Sequence, residues 1–171
     1  MSLPKLSSCC FRVALAALAI APILHAAAPP AKELPSDTCS LLPERQLQEI
    51  FDQSFGRPQR STAPAAHPGQ SVGTECEYTT QSGLARKVIF IVYVDPSAAK
   101  AKETFEKLSI WFAPKSQLAG IADSAYIDEN HAIHIVKSKI RYYINIIPIG
   151  TITPEKEKQL RDLAAFVSAQ I

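Results

Sequence analysis

The segment that decides the fold is His131-Ala-Ile-His-Ile-Val-Lys137, then Ser138-Lys139, then Ile140-Arg-Tyr-Tyr-Ile-Asn-Ile-Ile147. Both long runs are rich in β-branched and aromatic residues, which favour strands, and the polar pair between them predicts a reversal of the chain. Ser138-Lys139 lacks the Asn-Gly chemistry of a tight hairpin turn, so loops of two and of four residues both stay open, and both give the same facing of side chains. The sequence therefore predicts an antiparallel hairpin.

The two faces of this predicted hairpin differ in character. One face is apolar and is predicted to lie in the core; it carries Ile133, Ile135, Tyr142, Ile144 and Ile146. The other face is mixed and carries Ala132, His134, Val136, Arg141, Tyr143 and Asn145. On this mixed face His134 is expected opposite Tyr143. Such a face is either covered by a helix or available for recognition, since arginine and tyrosine are enriched in binding interfaces.

Apolar stripes at helical spacing predict three helices around the hairpin. The first begins near Pro43 and ends at Gly56, and the last begins at Pro154. Asp95 is the predicted N-cap of the helix between them. The stripe of that helix consists of Ala101, Phe105, Leu108 and Phe112. Trp111 flanks the stripe, and core packing is the preferred interpretation of it.

Further strands complete the predicted fold. Residues 76–80 alternate, and residues 88–94 are apolar on both faces, which is typical of a central strand. The polar, proline-containing segment 57–69 is predicted to be a long loop, and a turn at 120–126 leads towards the hairpin. The element order is then α-β-β-α-β-β-β-α. This order predicts an α+β fold with a single antiparallel sheet of about five strands and packed helices.

The N-terminus is typical of a secretory signal peptide. Lys5 and Arg12 precede the apolar stretch 13–24, which is too short to span a bilayer and is followed by small residues at 26–28. A buried apolar helix and an uncleaved anchor are the alternatives, and the Pro22 break counts against the anchor. The sequence therefore predicts export to the periplasm or secretion.

Export defines the predicted domain organisation. We expect a signal peptide over residues 1–26, a disordered lead-in over 27–38 and a single α+β domain over 39–171.

The sequence holds 18 Lys+Arg and 16 Asp+Glu, and two of the basic residues lie in the predicted signal, so positive and negative charges balance in the rest. A balanced charge argues against nucleic acid as a partner and against tight binding to anionic membranes. No stable membrane insertion is expected after signal cleavage.

Two cysteines remain once the predicted signal, with Cys9 and Cys10, is removed. Cys39 and Cys76 then lie in an oxidising compartment, where a disulfide between them is the default expectation. A redox-active pair is the alternative, although the chain lacks the Cys-x-x-Cys spacing of such pairs.

Three short motifs resemble a bacterial family. They are Cys39-Ser-Leu-Leu-Pro-Glu44, Cys76-Glu-Tyr78 and Gly120-Ile-Ala-Asp-Ser-Ala-Tyr126. Over most of residues 39–171 the chain is similar to small exported proteins and lipoproteins of unknown function. Their pattern is a Cys-x-Leu-Leu start, a Cys-x-Tyr strand and a Gly-Leu-Gly-Asp-x-Ala-Tyr-like turn. Here Ala122 replaces the second glycine, and the lipid-attachment cysteine is missing. The missing cysteine predicts a soluble rather than tethered form. The resemblance itself implies a domain type and a disulfide, and it implies no activity.

Patterns for catalysis and metal binding are weak. Zinc needs three or four convergent ligands, and His131 and His134 would point to opposite faces of a strand. Asp123, Asp128 and Glu129 are close in sequence, and turn capping is the preferred interpretation of them. The sequence also contains no nucleophile elbow and no glycine-rich phosphate loop. We therefore predict no catalytic residue, no metal site and no cofactor.

Two function classes follow. The preferred one is a non-catalytic exported module that binds an envelope protein, a glycan or a small ligand through the mixed face. Its candidate contacts are Tyr126, His134, Arg141, Tyr143 and Asn145. The alternative is a small periplasmic hydrolase or isomerase with Asp123 and His134 as its acid–base pair. A third possibility is an accessory protein of envelope stress or secretion.

Overall fold

The computed structural model describes residues 34–65, 70–80, 86–147 and 151–170. These residues belong to one compact unit, Ala31–Ile171. The predicted signal peptide lies outside the described residues, as do most of the predicted lead-in and part of the predicted loop 57–69. No helix among the described residues is long and apolar enough to cross a membrane.

A seven-stranded antiparallel sheet organises the described fold. In their spatial order the strands are β1 (Gln59–Ala63), β2 (Gly73–Thr79), β3 (Lys87–Val94), β7 (Ile140–Ile147), β6 (Ile133–Lys137), β5 (Ser124–Asp128) and β4 (Pro114–Gln117). The helices are α1 (Glu44–Phe51), α2 (Ala98–Trp111) and α3 (Pro154–Ala169), preceded by a 3-10 turn at Thr38–Leu41.

The predicted fold, with about five strands in the order α-β-β-α-β-β-β-α, is wrong. The observed order is α-β-β-β-α-β-β-β-β-α, and the two additional strands, β1 and β4, are the edges of the sheet. β1 lies within the segment predicted to be a loop, reads Gln-Arg-Ser-Thr-Ala and exposes all but its last residue. β4 begins at Pro114 and is mostly exposed. Edge strands are held by backbone hydrogen bonds while their side chains stay in water, so apolar alternation does not reveal them.

The predicted hairpin is confirmed as β6 and β7. Lys137 pairs with Ile140, so the loop contains only Ser138 and Lys139. Ser138 adopts the left-handed conformation with a φ of 53°, which reverses the chain without an Asn-Gly pair. His134 lies opposite Tyr143, as the alternation predicts.

The helices differ in detail from their predicted limits. α1 ends at Phe51 because Asp52, rather than Gly56, adopts the left-handed conformation with a φ of 50°. The N-cap of α2 is Ser97, not Asp95: its side chain accepts a hydrogen bond from the Lys100 N–H. The core assignment of Trp111 is also wrong, because this residue lies at the end of α2 with 63% of its surface exposed.

The apolar face of the hairpin packs under α1, α3 and the 3-10 turn. The disulfide between Cys39 and Cys76 is confirmed, and both cysteines are buried. Tyr78 follows Cys76 by two residues on β2. Its hydroxyl contacts the carbonyl oxygens of Cys39 and Leu42, which fixes the 3-10 turn against the sheet. A buried disulfide indicates an oxidising, non-cytoplasmic compartment.

Candidate functional site

The mixed face of the sheet is only partly covered by a helix. α2 packs across β6 and β7, where Ala101 and Phe105 form a small apolar cluster with Tyr126 and Val136. Beside the helix, the same face continues onto β3, whose residues on this side are only half-buried: Ile89, Ile91 and Tyr93. The sheet therefore presents an open half-face next to one flank of α2.

A pocket of about 170 Å³ lies where the C-terminal half of α2 meets this open half-face. The helix contributes Phe105, Leu108 and Phe112. The sheet contributes the remaining described lining residues, except for Gln70 in the loop before β2: Ile91, Tyr93, His134, Arg141, Tyr142 and Tyr143. The lining is thus dominated by aromatic and aliphatic side chains, with two strongly polar groups among them.

Aromatic contacts hold the His134 ring in one position. The Tyr126 ring stacks on it with centroids 4.5 Å apart, and Tyr143 meets it edge-on at 5.1 Å. Phe112 approaches at 5.4 Å from the end of α2. Phe105 packs against Tyr126 at 5.1 Å, so the contacts continue into the cluster beneath the helix. This packing leaves the imidazole little freedom to rotate.

His134 also forms a buried pair with Asp128. The imidazole Nε2 lies 3.0 Å from Oδ2 of Asp128, and both side chains are almost fully buried. The other carboxylate oxygen accepts a hydrogen bond of 2.9 Å from the Ala132 N–H, which fixes the carboxylate in the turn before β6. An ionised carboxylate only accepts, so Nε2 donates to it, and in the neutral ring Nδ1 is left as an acceptor.

Arg141 is the second polar group of the pocket, and its charge is balanced internally. Its Nε donates to Oδ2 of the buried Asp95, and its Nη2 donates to Oδ1 at 3.3 Å. The Ser71 hydroxyl donates to the same carboxylate at 2.8 Å. The guanidinium carbon lies 4.7 Å from the centre of the Tyr93 ring, a cation–π arrangement.

The tyrosines around the pocket keep their protons at neutral pH. Burial raises the pKa of Tyr93, and the nearby Arg141 charge opposes that rise only in part. Burial also raises the pKa of Tyr143, with a further rise from the charge of Asp128. The pKa of Tyr126 is raised for the same two reasons. These phenols are therefore neutral at pH 7 and are not poised to act as bases or nucleophiles.

The structure brings most of the predicted contact residues together. His134, Arg141 and Tyr143 line the pocket, and Tyr126 lies directly against the His134 ring. Asn145 follows Tyr143 on the same face of β7, and its hydrogen bond tends to lower the pKa of the Tyr143 hydroxyl. That these residues bind a ligand stays a prediction.

Asp123 and His134, the alternative acid–base pair, have separate partners. The Asp123 carboxylate accepts a hydrogen bond of 2.6 Å from the Ser138 N–H. It lines a different pocket of about 280 Å³ near the N-terminus of α2, together with Ala98 and Lys102. The carboxylate that contacts His134 is instead Asp128, which the sequence interpretation assigned to turn capping.

His131 does not join His134 either. Its Nε2 lies 2.8 Å from the Lys115 ammonium nitrogen, at the end of the sheet where β4 begins. Within the described ranges, no group of three or more histidine, cysteine, aspartate or glutamate side chains is placed to hold a metal ion.

Comparison with protein-family models, curated proteins and solved structures finds no match to this chain. The resemblance to small exported bacterial proteins, which depends on the motifs at 39–44, 76–78 and 120–126, therefore stays a prediction.

Proposed function

We propose that the protein is an exported, non-catalytic binding module that holds a small ligand in the pocket between α2 and the open half-face. The observation that carries this proposal is the size and lining of the pocket. Its volume of about 170 Å³ is close to that of an engineered apolar cavity of about 150 Å³ that holds benzene. A single ring fits this space, so we favour a small ligand over a glycan or an envelope protein.

The polar groups of the pocket support binding rather than turnover. Arg141 is neutralised by Asp95, and His134 is already paired with Asp128. Among the described lining residues there is no serine, threonine, cysteine, lysine, aspartate or glutamate to act as a nucleophile or a further acid. Fixed polar groups in an apolar pocket are typical of sites that orient a ligand.

A matched pair of variants on α2 tests this proposal. Leu108→Trp should fill the pocket, whereas Ile110→Trp adds the same side chain at a position that is 77% exposed and does not line it. Ligand-observed NMR with toluene and phenol as probes should show binding to the wild-type protein and to Ile110→Trp, and none to Leu108→Trp. Absence of binding to the wild-type protein, or equal binding to both variants, would refute the proposal.

A small hydrolase or isomerase is the second candidate, and one observation favours it. The buried His134–Asp128 pair resembles a general base with its orienting carboxylate. Such an enzyme would use Asp128 rather than Asp123 as the partner of His134. Chemical conversion of a pocket-bound probe, lost in His134→Gln but retained in Asp123→Asn, would favour this candidate over the binding module.

Export is part of the same proposal. The buried disulfide and the apolar segment at 13–24 behind two basic residues both support a periplasmic or secreted location. Mass spectrometry of protein recovered from the envelope or medium should give a chain that begins just after residue 26 or 28 and lacks two hydrogens relative to its reduced form. Full-length protein with free thiols in the cytosol would contradict it.

A further inference from the structure

The imidazole of His134 presents one free acceptor to the pocket. Its Nε2 is used by Asp128, and Nδ1 makes no hydrogen bond with any described residue. Part of the surface of Nδ1 is accessible, so this atom is not fully buried. His134 lines the pocket, so a ligand there contacts a ring whose one unpaired nitrogen is Nδ1. In the neutral ring this atom accepts a hydrogen bond.

Arg141 lines the same pocket and keeps free donors on its guanidinium. Asp95 occupies Nε and Nη2, while Nη1 has no partner among the described residues and is not fully buried. In the sheet His134 on β6 lies opposite Tyr143 on β7, and Arg141 comes two residues before Tyr143 on the same face. His134 and Arg141 are therefore diagonal neighbours. Diagonal neighbours of this kind lie roughly 7 Å apart at the backbone, and both side chains line the pocket, so a ligand there can contact both.

The charges around the pocket argue against an anionic ligand. Arg141 is balanced by Asp95, and the Asp128 carboxylate adds a further negative charge when the His134 ring is neutral. A carboxylate or phosphate would also place its lone pairs against Nδ1 of His134. The smallest uncharged group that both donates to Nδ1 and accepts from Arg141 is a hydroxyl.

We infer that the ligand is a phenol-like compound, whose single aromatic ring lies among Phe105, Leu108 and Tyr143 while its hydroxyl bridges His134 and Arg141. This inference depends on the proposed binding function and specifies its ligand class. Asp128 is then a positioning residue, because it fixes the proton of His134 on Nε2 and leaves Nδ1 to accept from the hydroxyl.

Four probes of similar size test the ligand class on the wild-type protein. Phenol both donates and accepts, anisole only accepts, toluene does neither, and benzoate is an anion. NMR or calorimetric titration should find phenol about tenfold tighter than anisole, the effect of one added hydrogen bond. Toluene, which forms neither bond, should bind no tighter than anisole, and benzoate should bind weakest. Toluene or anisole as tight as phenol, or benzoate tighter than phenol, would overturn the inference but leave the binding function intact. Failure of all four probes to bind would refute the binding function.

Asp128→Asn tests the role of the carboxylate with almost no change in shape. The asparagine oxygen must still accept from the Ala132 N–H, which turns its amide N–H₂ towards Nε2 of His134. Nε2 then accepts, and the imidazole proton moves to Nδ1. We expect ¹⁵N histidine spectra to show this change of tautomer and the preference for phenol over anisole to disappear. A wild-type ring protonated at Nδ1, or an unchanged preference in the variant, would overturn the inference.

Discussion

Removal of the Cys39–Cys76 disulfide is the perturbation whose size follows most directly from the structure. The two cysteines are 37 positions apart, and closing a loop of that length lowers the entropy of the unfolded chain by an amount worth about 4 kcal/mol at 25 °C. The Cys39→Ala/Cys76→Ala double variant of the mature protein should therefore lose about 4 kcal/mol in its free energy of unfolding. With a urea dependence of about 2 kcal/mol per molar, the unfolding midpoint should fall by roughly 2 M.

Urea denaturation followed by circular dichroism measures this loss, and a reducing agent provides the matched control. Reduction of the wild-type protein should reproduce most of the shift, because it removes the same cross-link. The reducing agent should leave the double variant unchanged, since no disulfide remains in it. A double variant within about 1 kcal/mol of the wild type would refute the reasoning.

Three further predictions concern single side chains, and urea denaturation measures each of them. Arg141→Met should lower the free energy of unfolding by about 3–5 kcal/mol, because it leaves Asp95 buried without a counter-charge. Adding Asp95→Asn should restore much of that loss, and a double variant that stays equally unstable would contradict the explanation. Ala122→Gly should stabilise by about 0.5–1 kcal/mol, because Ala122 has a φ of 54° that glycine adopts without strain; a loss of stability would argue against it. Gly73→Ala should cost about 1–3 kcal/mol, because its Cβ would lie 2.8 Å from the Tyr93 ring; unchanged stability would show that the ring moves freely.

The hairpin and the strands at 76–80 and 88–94 could be predicted from the sequence, whereas the edges of the sheet could not. In the runs around Ile133–Lys137 and Ile140–Ile147 the facing of the side chains follows from a period of two residues, whereas the two-residue loop that sets the register does not. β1 carries almost no buried side chain, and β4 is four residues long and starts at a proline. Their positions depend on backbone pairing with β2 and β5, which leaves no signal in hydrophobicity.

The composition of the candidate site was partly predictable. His134, Arg141 and Tyr143 share one face by alternation alone, which is how the sequence placed them together. Asp128 is not predicted as a partner of His134, because the sequence favours turn capping for its carboxylate. In the structure β5 extends to Asp128, whose side chain shares a face with Tyr126. The signal was present in the two-residue spacing of Tyr126 and Asp128.

The contribution of α2 to the pocket depends on how the helix sits across the sheet, which no local pattern specifies. Leu108 and Phe112 were predicted on its apolar stripe, and both line the pocket instead of a closed core. At the end of the same helix Phe112 lies against His134, while Trp111 next to it is mostly exposed.

The most direct test of the central claim is methyl NMR of the mature protein titrated with phenol. The claim is that the pocket between α2 and the open half-face is the binding site. It predicts saturable shifts of the Ile91 and Leu108 methyl groups, which line the pocket, while those of Leu163 on the other side of the sheet stay unchanged. Shifts that miss Ile91 and Leu108, or no saturable shift at any methyl, would contradict it.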